Sequence, residues 1–150
     1  MIKILFICHG NICRSPMAEF VMKDMVCKRG IQADFEIASA ATTRDEIGND
    51  IHPGTKGKLR QMQIPFSKRA ARQITKSDYL HYDYLLGMDT PNINSMLRII
   101  GHDEEHKIYR LLDFAQHPRD IADPWFTHNF DETYEDVVEG CEALLKHLGY

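Results

Sequence analysis

A chain of 150 residues fits one domain, 1–150, and a domain of that size buries roughly 70% of the surface its unfolded chain exposes, so no disulfide or metal staple is required. With 43% hydrophobic and 27% charged residues and only 9 Gly and 6 Pro, the composition excludes disordered and fibrous classes. A net charge of −4 argues against a nucleic-acid partner, because such binding is driven by Lys and Arg neutralising phosphates; any anion site has to be local.

The run from Met1 to Ile7 is far too short for a membrane span and lacks the small-residue cleavage site of a signal peptide, so no membrane and a cytoplasmic location are expected. Ile2 to Ile7 reads as a strand buried on both faces. Ser15-Pro16 then reads as a helix start, with Ser15 as N-cap, followed by Met17, Phe20, Val21 and Met25 at helical spacing and closed by Lys28-Arg29-Gly30. Phe35 to Ser39 reads as a second strand and Gly54 to Met62 as a helix. Tyr82 to Met88 is a third strand, ended by Asp89-Thr90-Pro91, a helix start leading to Ile93, Met96, Leu97 and Ile100. Lys107 to Leu112 is a fourth, and Tyr134, Val137, Val138, Cys141, Leu144, Leu145 and Leu148 make the apolar stripe of a last helix. No repeat or linker divides the chain. Strands alternating with helices predict an α/β domain with a doubly wound parallel sheet, whose ligand sites lie beyond the carboxyl ends of the strands.

The loop between the first strand and its helix carries the chemistry. His9, Gly10, Asn11, Ile12, Cys13 and Arg14 can curl so that consecutive backbone N–H groups converge on an oxyanion, with the positive end of a helix behind them. Arg14 adds a planar fork able to hold two phosphoryl oxygens. A cysteine at position 8, in that field, is favoured as the thiolate and is placed to attack phosphorus. Cys8, Cys13, Cys27 and Cys141 form no C-x-x-C pair, which predicts neither a zinc site nor a disulfide framework and fits a reducing compartment; Cys27 and Cys141 are expected in the core.

From 8 to 16 the chain reads CHGNICRSP, and here it resembles the low molecular weight protein tyrosine phosphatases. The resemblance continues through SAAT at 39–42, ARQIT at 71–75, YDYLLGMD at 82–89 and DPWF at 123–126. It implies a three-layer, phosphatase I-like sandwich around a central four-stranded parallel sheet, with no metal or other cofactor. It also implies hydrolysis of phosphotyrosine in a protein or peptide, releasing inorganic phosphate through a cysteinyl-phosphate: Cys8 as nucleophile, Arg14 binding the phosphoryl group, Asp123 as general acid and then base. The residues alone rank Asp123 only slightly above Asp113 and Asp120, through the stiff Pro124 beside it. His9, Gly10, Asn11, Ile12, Cys13, Ser15, Asp45, Trp125 and Phe126 are the implied substrate-binding residues, with Ser39 and Asp89 behind them. Asn11 is expected to fix a left-handed turn, and Asp89 is equally readable as a plain N-cap. Ser15 would donate to the Cys8 thiolate, Cys13 would trap oxidised Cys8 as a reversible disulfide, and a monomer or weak homodimer is expected.

Two positions depart from the family pattern. Asp45 stands where many members carry an aromatic residue, leaving Trp125 and Phe126 to meet the substrate ring, and Arg69 stands where a histidine is frequent. Three other functions are weighed. An arsenate reductase on this fold would need a further cysteine pair, an arginine phosphatase is marked by threonine where this chain has Ile12, and a phosphotyrosine-binding or redox-sensing module would need no acid.

Overall fold

The amino-terminal apolar run forms strand β1 (Ile2–Cys8), which lies inside the sheet with a neighbour on each side. Its partners are β2 (Phe35–Ala41) and β3 (Tyr84–Gly87), and β4 (Ile108–Arg110) extends the sheet beyond β3. All four strands run parallel in the order β2-β1-β3-β4. The computed structural model describes residues 1–150. In this order the connections leave β1 toward β2 but return to β3 on the other side, so the strand order reverses beside β1. That is the switch point at which α/β sheets open a crevice beyond their carboxyl ends.

Burial on both faces explains the unbroken apolar run of β1. Ile4, Phe6 and Cys8 point into the larger core, shared with helices α1 (Arg14–Lys28) and α6 (Phe130–His147). Leu5 and Ile7 point to the other face, covered by α3 (Lys76–His81) and α4 (Thr90–Ile100). The helix α2 (Pro53–Gln61) packs on α1 and α6, and a one-turn helix α5 (Pro124–Thr127) precedes α6. The three layers match the expected sandwich. Along α1 every residue from Arg14 to Met22 is buried, so this helix is enclosed by the core rather than laid over it.

Several expectations need correction. The third and fourth strands are shorter than the apolar runs suggested; the fourth ends at Arg110 because Leu111–Phe114 leaves the sheet as a 3-10 turn whose Leu111 packs against Gly140 of α6. Two short helices, α3 and α5, were not expected. The last helix starts earlier, at Phe130, with Asn129 accepting from the Glu132 N–H as its cap. Cys141 is in the core as expected, whereas Cys27 is exposed near the end of α1.

Candidate active site

Cys8 ends β1 and is 3% exposed. The chain then turns through Asn11, whose φ of 58° is the expected left-handed conformation, and enters α1 at Arg14. The turn brings the Asn11 N–H to 3.2 Å from Cys8 Sγ and the Ser15 hydroxyl to 3.1 Å. Ser15 Oγ also accepts from Asn11 Nδ2 at 2.8 Å, so the Ser15 proton is free to donate to sulfur. The second Asn11 amide hydrogen goes to Ser39 Oγ at 2.9 Å, and Ser39 donates at 2.5 Å to the buried Glu19. This chain of donors orients two hydrogen bonds onto the sulfur.

The expected capping role of Ser15 is not what the fold uses. Cys13 is the N-cap of α1 and makes no side-chain cap bond, while Ser15 lies inside the helix with its hydroxyl committed to Cys8 and Asn11. The curled backbone leads into the helix at Arg14, two residues earlier than the Ser-Pro signal predicted.

Arg14 is 2% exposed, and its guanidinium is clamped from both sides of the crevice. Nη1 donates to Asp89 Oδ2 at 2.7 Å and to the Ile121 carbonyl at 2.9 Å, and Nη2 lies 3.4 Å from Asp123 Oδ2. Burial opposes the charge, but Cys8, Asp89 and Asp123 outweigh it and raise the guanidinium pKa above its ordinary value. Asp89 performs both of its candidate jobs with separate oxygens: Oδ1 accepts from the Asn92 N–H at 2.8 Å, capping α4, while Oδ2 holds Arg14.

The three aspartates of the last loop separate cleanly. Asp113 is tied to Arg110, and Asp120 accepts from Thr90 and Arg110 at 2.9 to 3.1 Å. Burial raises the Asp120 pKa, but those donors prevail and hold it below the ordinary carboxylate value. Asp123 alone of the three lines the cleft beside Cys8 and Arg14, with Oδ1 accepting from the Trp125 N–H at 3.0 Å as the cap of α5. The cleft holds about 500 Å³, within the usual range of small-ligand sites.

Residues 3–150 match the family model for low molecular weight phosphotyrosine protein phosphatase. This chain belongs to that family. It is 40% identical over 150 residues to the low molecular weight protein-tyrosine-phosphatase YfkJ of Bacillus subtilis, covering 99% of this chain and 96% of the relative. The crystal structure of YfkJ superposes with a TM-score of 0.94, at 39% identity, over 99% of this chain and 95% of that one. The Drosophila arginine phosphatase DARP superposes with a TM-score of 0.91 at 29% identity, over 99% of both chains.

Among the low molecular weight phosphatases to which this chain belongs, its own cleft has a charged rim. Asp45 lines the cleft and pairs with His9 Nε2 at 2.9 Å, both side chains being more than half exposed. Trp125 and Phe126 supply the aromatic side, 52% and 78% exposed. Gly10 lets Glu46 approach closely, since a Cβ there would come within 3.2 Å of Glu46 Cγ. Ile12 lines the cleft but is mostly buried against Cys13 and Ala71. Burial first, then the neighbouring Cys8 and Asp123, push the Cys13 thiol up to about 12, so it stays protonated beside Cys8.

Arg69 does support the phosphate loop. Its Nη2 donates to the Asn11 carbonyl and its Nη1 to the Asn49 carbonyl at 3.2 Å. Burial pulls the Arg69 pKa down, with Glu19, Cys8 and Asp50 opposing. Sequence reasoning missed two further supports at the start of α2: the N–H of its N-cap residue His52 donates to the Ile12 carbonyl at 2.9 Å, and Thr55 Oγ1 to the Cys13 carbonyl at 3.0 Å. The Pro53-Gly54 start of α2 was the available signal, because a helix beginning there has to place its first turn against something.

Proposed function

We propose that this chain hydrolyses phosphotyrosine in proteins or peptides through a cysteinyl-phosphate on Cys8. The observation that carries the reading is the meeting, in one cleft, of a buried sulfur with two hydrogen-bond donors, a buried guanidinium fixed by Asp89 and Ile121, and a carboxylate from the last loop. The phosphoryl group of the substrate sits on the backbone N–H groups from His9 to Arg14, with Arg14 holding two of its oxygens. The Cys8 thiolate attacks phosphorus, the bond to the phenolic oxygen breaks, and protonated Asp123 gives that oxygen its proton, leaving tyrosine and a phosphorylated Cys8. A water then attacks phosphorus, Asp123 takes its proton, and the bond from sulfur to phosphorus breaks to release inorganic phosphate and the thiolate. Every atom in this cycle comes from the chain, substrate or water.

Depth favours tyrosine over serine. Cys8 is buried at the floor while Trp125 and Phe126 stand at the mouth, so a substrate has to span the cleft and present a ring there. The apolar side chain of Ile12 favours an aryl ring over the polar linkage of phosphoarginine, and Asp45 favours a guanidinium; Ile12 is part of the loop that holds the phosphoryl group whereas Asp45 is exposed and paired with His9, and the reading is therefore tyrosine. A cysteine relay like that of an arsenate reductase has no support, since Cys27 is exposed near the end of α1, Cys141 is in the core, and neither lines the cleft. All four cysteines are free, which accords with work in a reducing compartment such as the cytoplasm, and Cys13 is the candidate partner for Cys8 on oxidation.

Acid quench during turnover on a phosphotyrosine peptide is expected to trap phosphate on Cys8, located by mass spectrometry. Cys8→Ser is expected to lose at least about 10⁴-fold in kcat while still binding phosphate, because the hydroxyl is a poor nucleophile but the N–H groups remain. Phosphate trapped on another residue, or equal kcat/KM on phosphotyrosine and phosphoarginine peptides, would overturn the assignment.

A further inference from the structure

His52 does not line the cleft, yet it touches both of the elements that do. Its backbone N–H donates to the Ile12 carbonyl of the phosphate loop at 2.9 Å. Its ring lies nearly parallel to Phe130, at 5.4 Å and 19°, and meets Trp125 edge-on, at 5.8 Å and 77°. Both geometries are favourable ones for aromatic pairs. Trp125 in turn donates its backbone N–H to Asp123 Oδ1 at 3.0 Å. A continuous set of contacts therefore runs from the phosphate loop through His52 and Trp125 to the carboxylate of Asp123.

The imidazole is suited to this place for a second reason. Nδ1 accepts from the Gly54 N–H at 2.9 Å and caps α2, so the ring proton is on Nε2. Gly54 has to be glycine because a Cβ would overlap the Phe130 ring, which leans over the start of α2. Few side chains combine a flat face for Phe130 and Trp125 with an acceptor for the Gly54 N–H.

We infer that His52 is a positioning residue: its ring sets Trp125, and through it Asp123, against the phosphate loop at the moment the leaving oxygen needs a proton. The inference rests on the reading of Asp123 as the general acid. The ring contact and the helix cap can be separated by substitution. His52→Asn keeps an oxygen acceptor for Gly54 but has no ring, while His52→Phe keeps the ring and loses the acceptor.

The measurement is kcat/KM on a series of aryl phosphates, from phenyl to 4-nitrophenyl phosphate, with thermal melting alongside. His52→Asn is expected to melt near the unmodified protein and to lose about tenfold on phenyl phosphate, but less than about twofold on 4-nitrophenyl phosphate, whose phenolate leaves without a proton. His52→Phe is expected to do the reverse, melting lower while keeping the shallow leaving-group dependence. Combining His52→Asn with Asp123→Asn is expected to cost no more than Asp123→Asn alone. Equal losses across the series for His52→Asn, or losses in both variants that follow their melting temperatures, would overturn the inference and leave Asp123 untouched. A shallow series for Asp123→Asn itself would overturn the acid assignment, and the role of His52 would fall with it.

Discussion

The floor and the rim of the cleft are built to different standards. At the floor, Cys8, Asn11, Arg14, Ser15 and Ser39 are all buried and each polar side chain has a partner in the fold, with no buried nitrogen or oxygen left unpaired. At the rim, the side chains of His9 and Asp45 have only each other at 2.9 Å, and Trp125 and Phe126 stand largely in solvent. The difference follows what each region meets. A phosphoryl group has one geometry, and donors fixed in advance cost nothing to arrange when it reacts. The polypeptide around a phosphotyrosine varies, and screened, mobile side chains can meet it in several ways.

The contrast is broken most severely at Arg14. Arg14→Lys is expected to lower kcat/KM by about 10² to 10³ on every substrate, since one ammonium cannot hold Asp89, the Ile121 carbonyl and two phosphoryl oxygens together. Steady-state kinetics on two substrates with different leaving groups checks it, and a loss confined to one of them would contradict the uniform role.

Between floor and rim stands Asp123, fixed by Arg14 on one oxygen and capping α5 with the other. Asp123→Asn is expected to cost about 10²-fold on phosphotyrosine and little on an acidic phenol. Asp120→Asn supplies the contrast, with near-normal kinetics and a loss of stability of about 1 kcal/mol or less, given its partly exposed bonds to Thr90 and Arg110. Because those partners hold the Asp120 pKa below the ordinary carboxylate value, its share of stability is complete above about pH 4 and is lost as pH falls further. The variant should therefore flatten the acid limb of a stability profile.

The smallest effect belongs to the rim. Asp45→Asn is expected to leave a small aryl phosphate within about twofold, and to lower kcat/KM severalfold only for peptides carrying Lys or Arg beside the phosphotyrosine, an effect that fades with salt. A large loss on the small substrate would mean that Asp45 belongs functionally to the floor.

What could be read from the sequence follows the same division. The strand-loop-helix unit from Ile2 to Gly30 was legible because strand burial, the run CHGNICRSP and the helix signals all concern neighbours along the chain. The four parallel strands were legible for the same reason. Ser15 misled because a Ser before Pro is a local capping signal, whereas its hydroxyl is used by Cys8, seven residues away and across a turn. The helices α3 and α5 span six and four residues, too few for a 3.6-residue period to declare itself, although Thr75 and Asp78 form a capping box. Cys27 is apolar in type but faces outward near the end of α1. The bonds from Arg69 and the contacts of His52 join segments 58 and 40 residues or more from the loop they support, and no local pattern encodes such pairings.

The enclosure of α1 ties the chemistry to the mechanics of the whole domain. Met17, Val21 and Val26 pack in the central core on the same rigid helix that begins with Arg14 and carries Ser15, so a repacking that slides this helix along its axis displaces the guanidinium and the hydroxyl by the same amount. Displacements near 1 Å are enough to cost on the order of 10²-fold in rate. A thermostable version of this protein is therefore better sought on the outer face of α6, where Glu135 and Glu139 reach solvent, than in the interior: here, filling the core and tuning the active site are one operation.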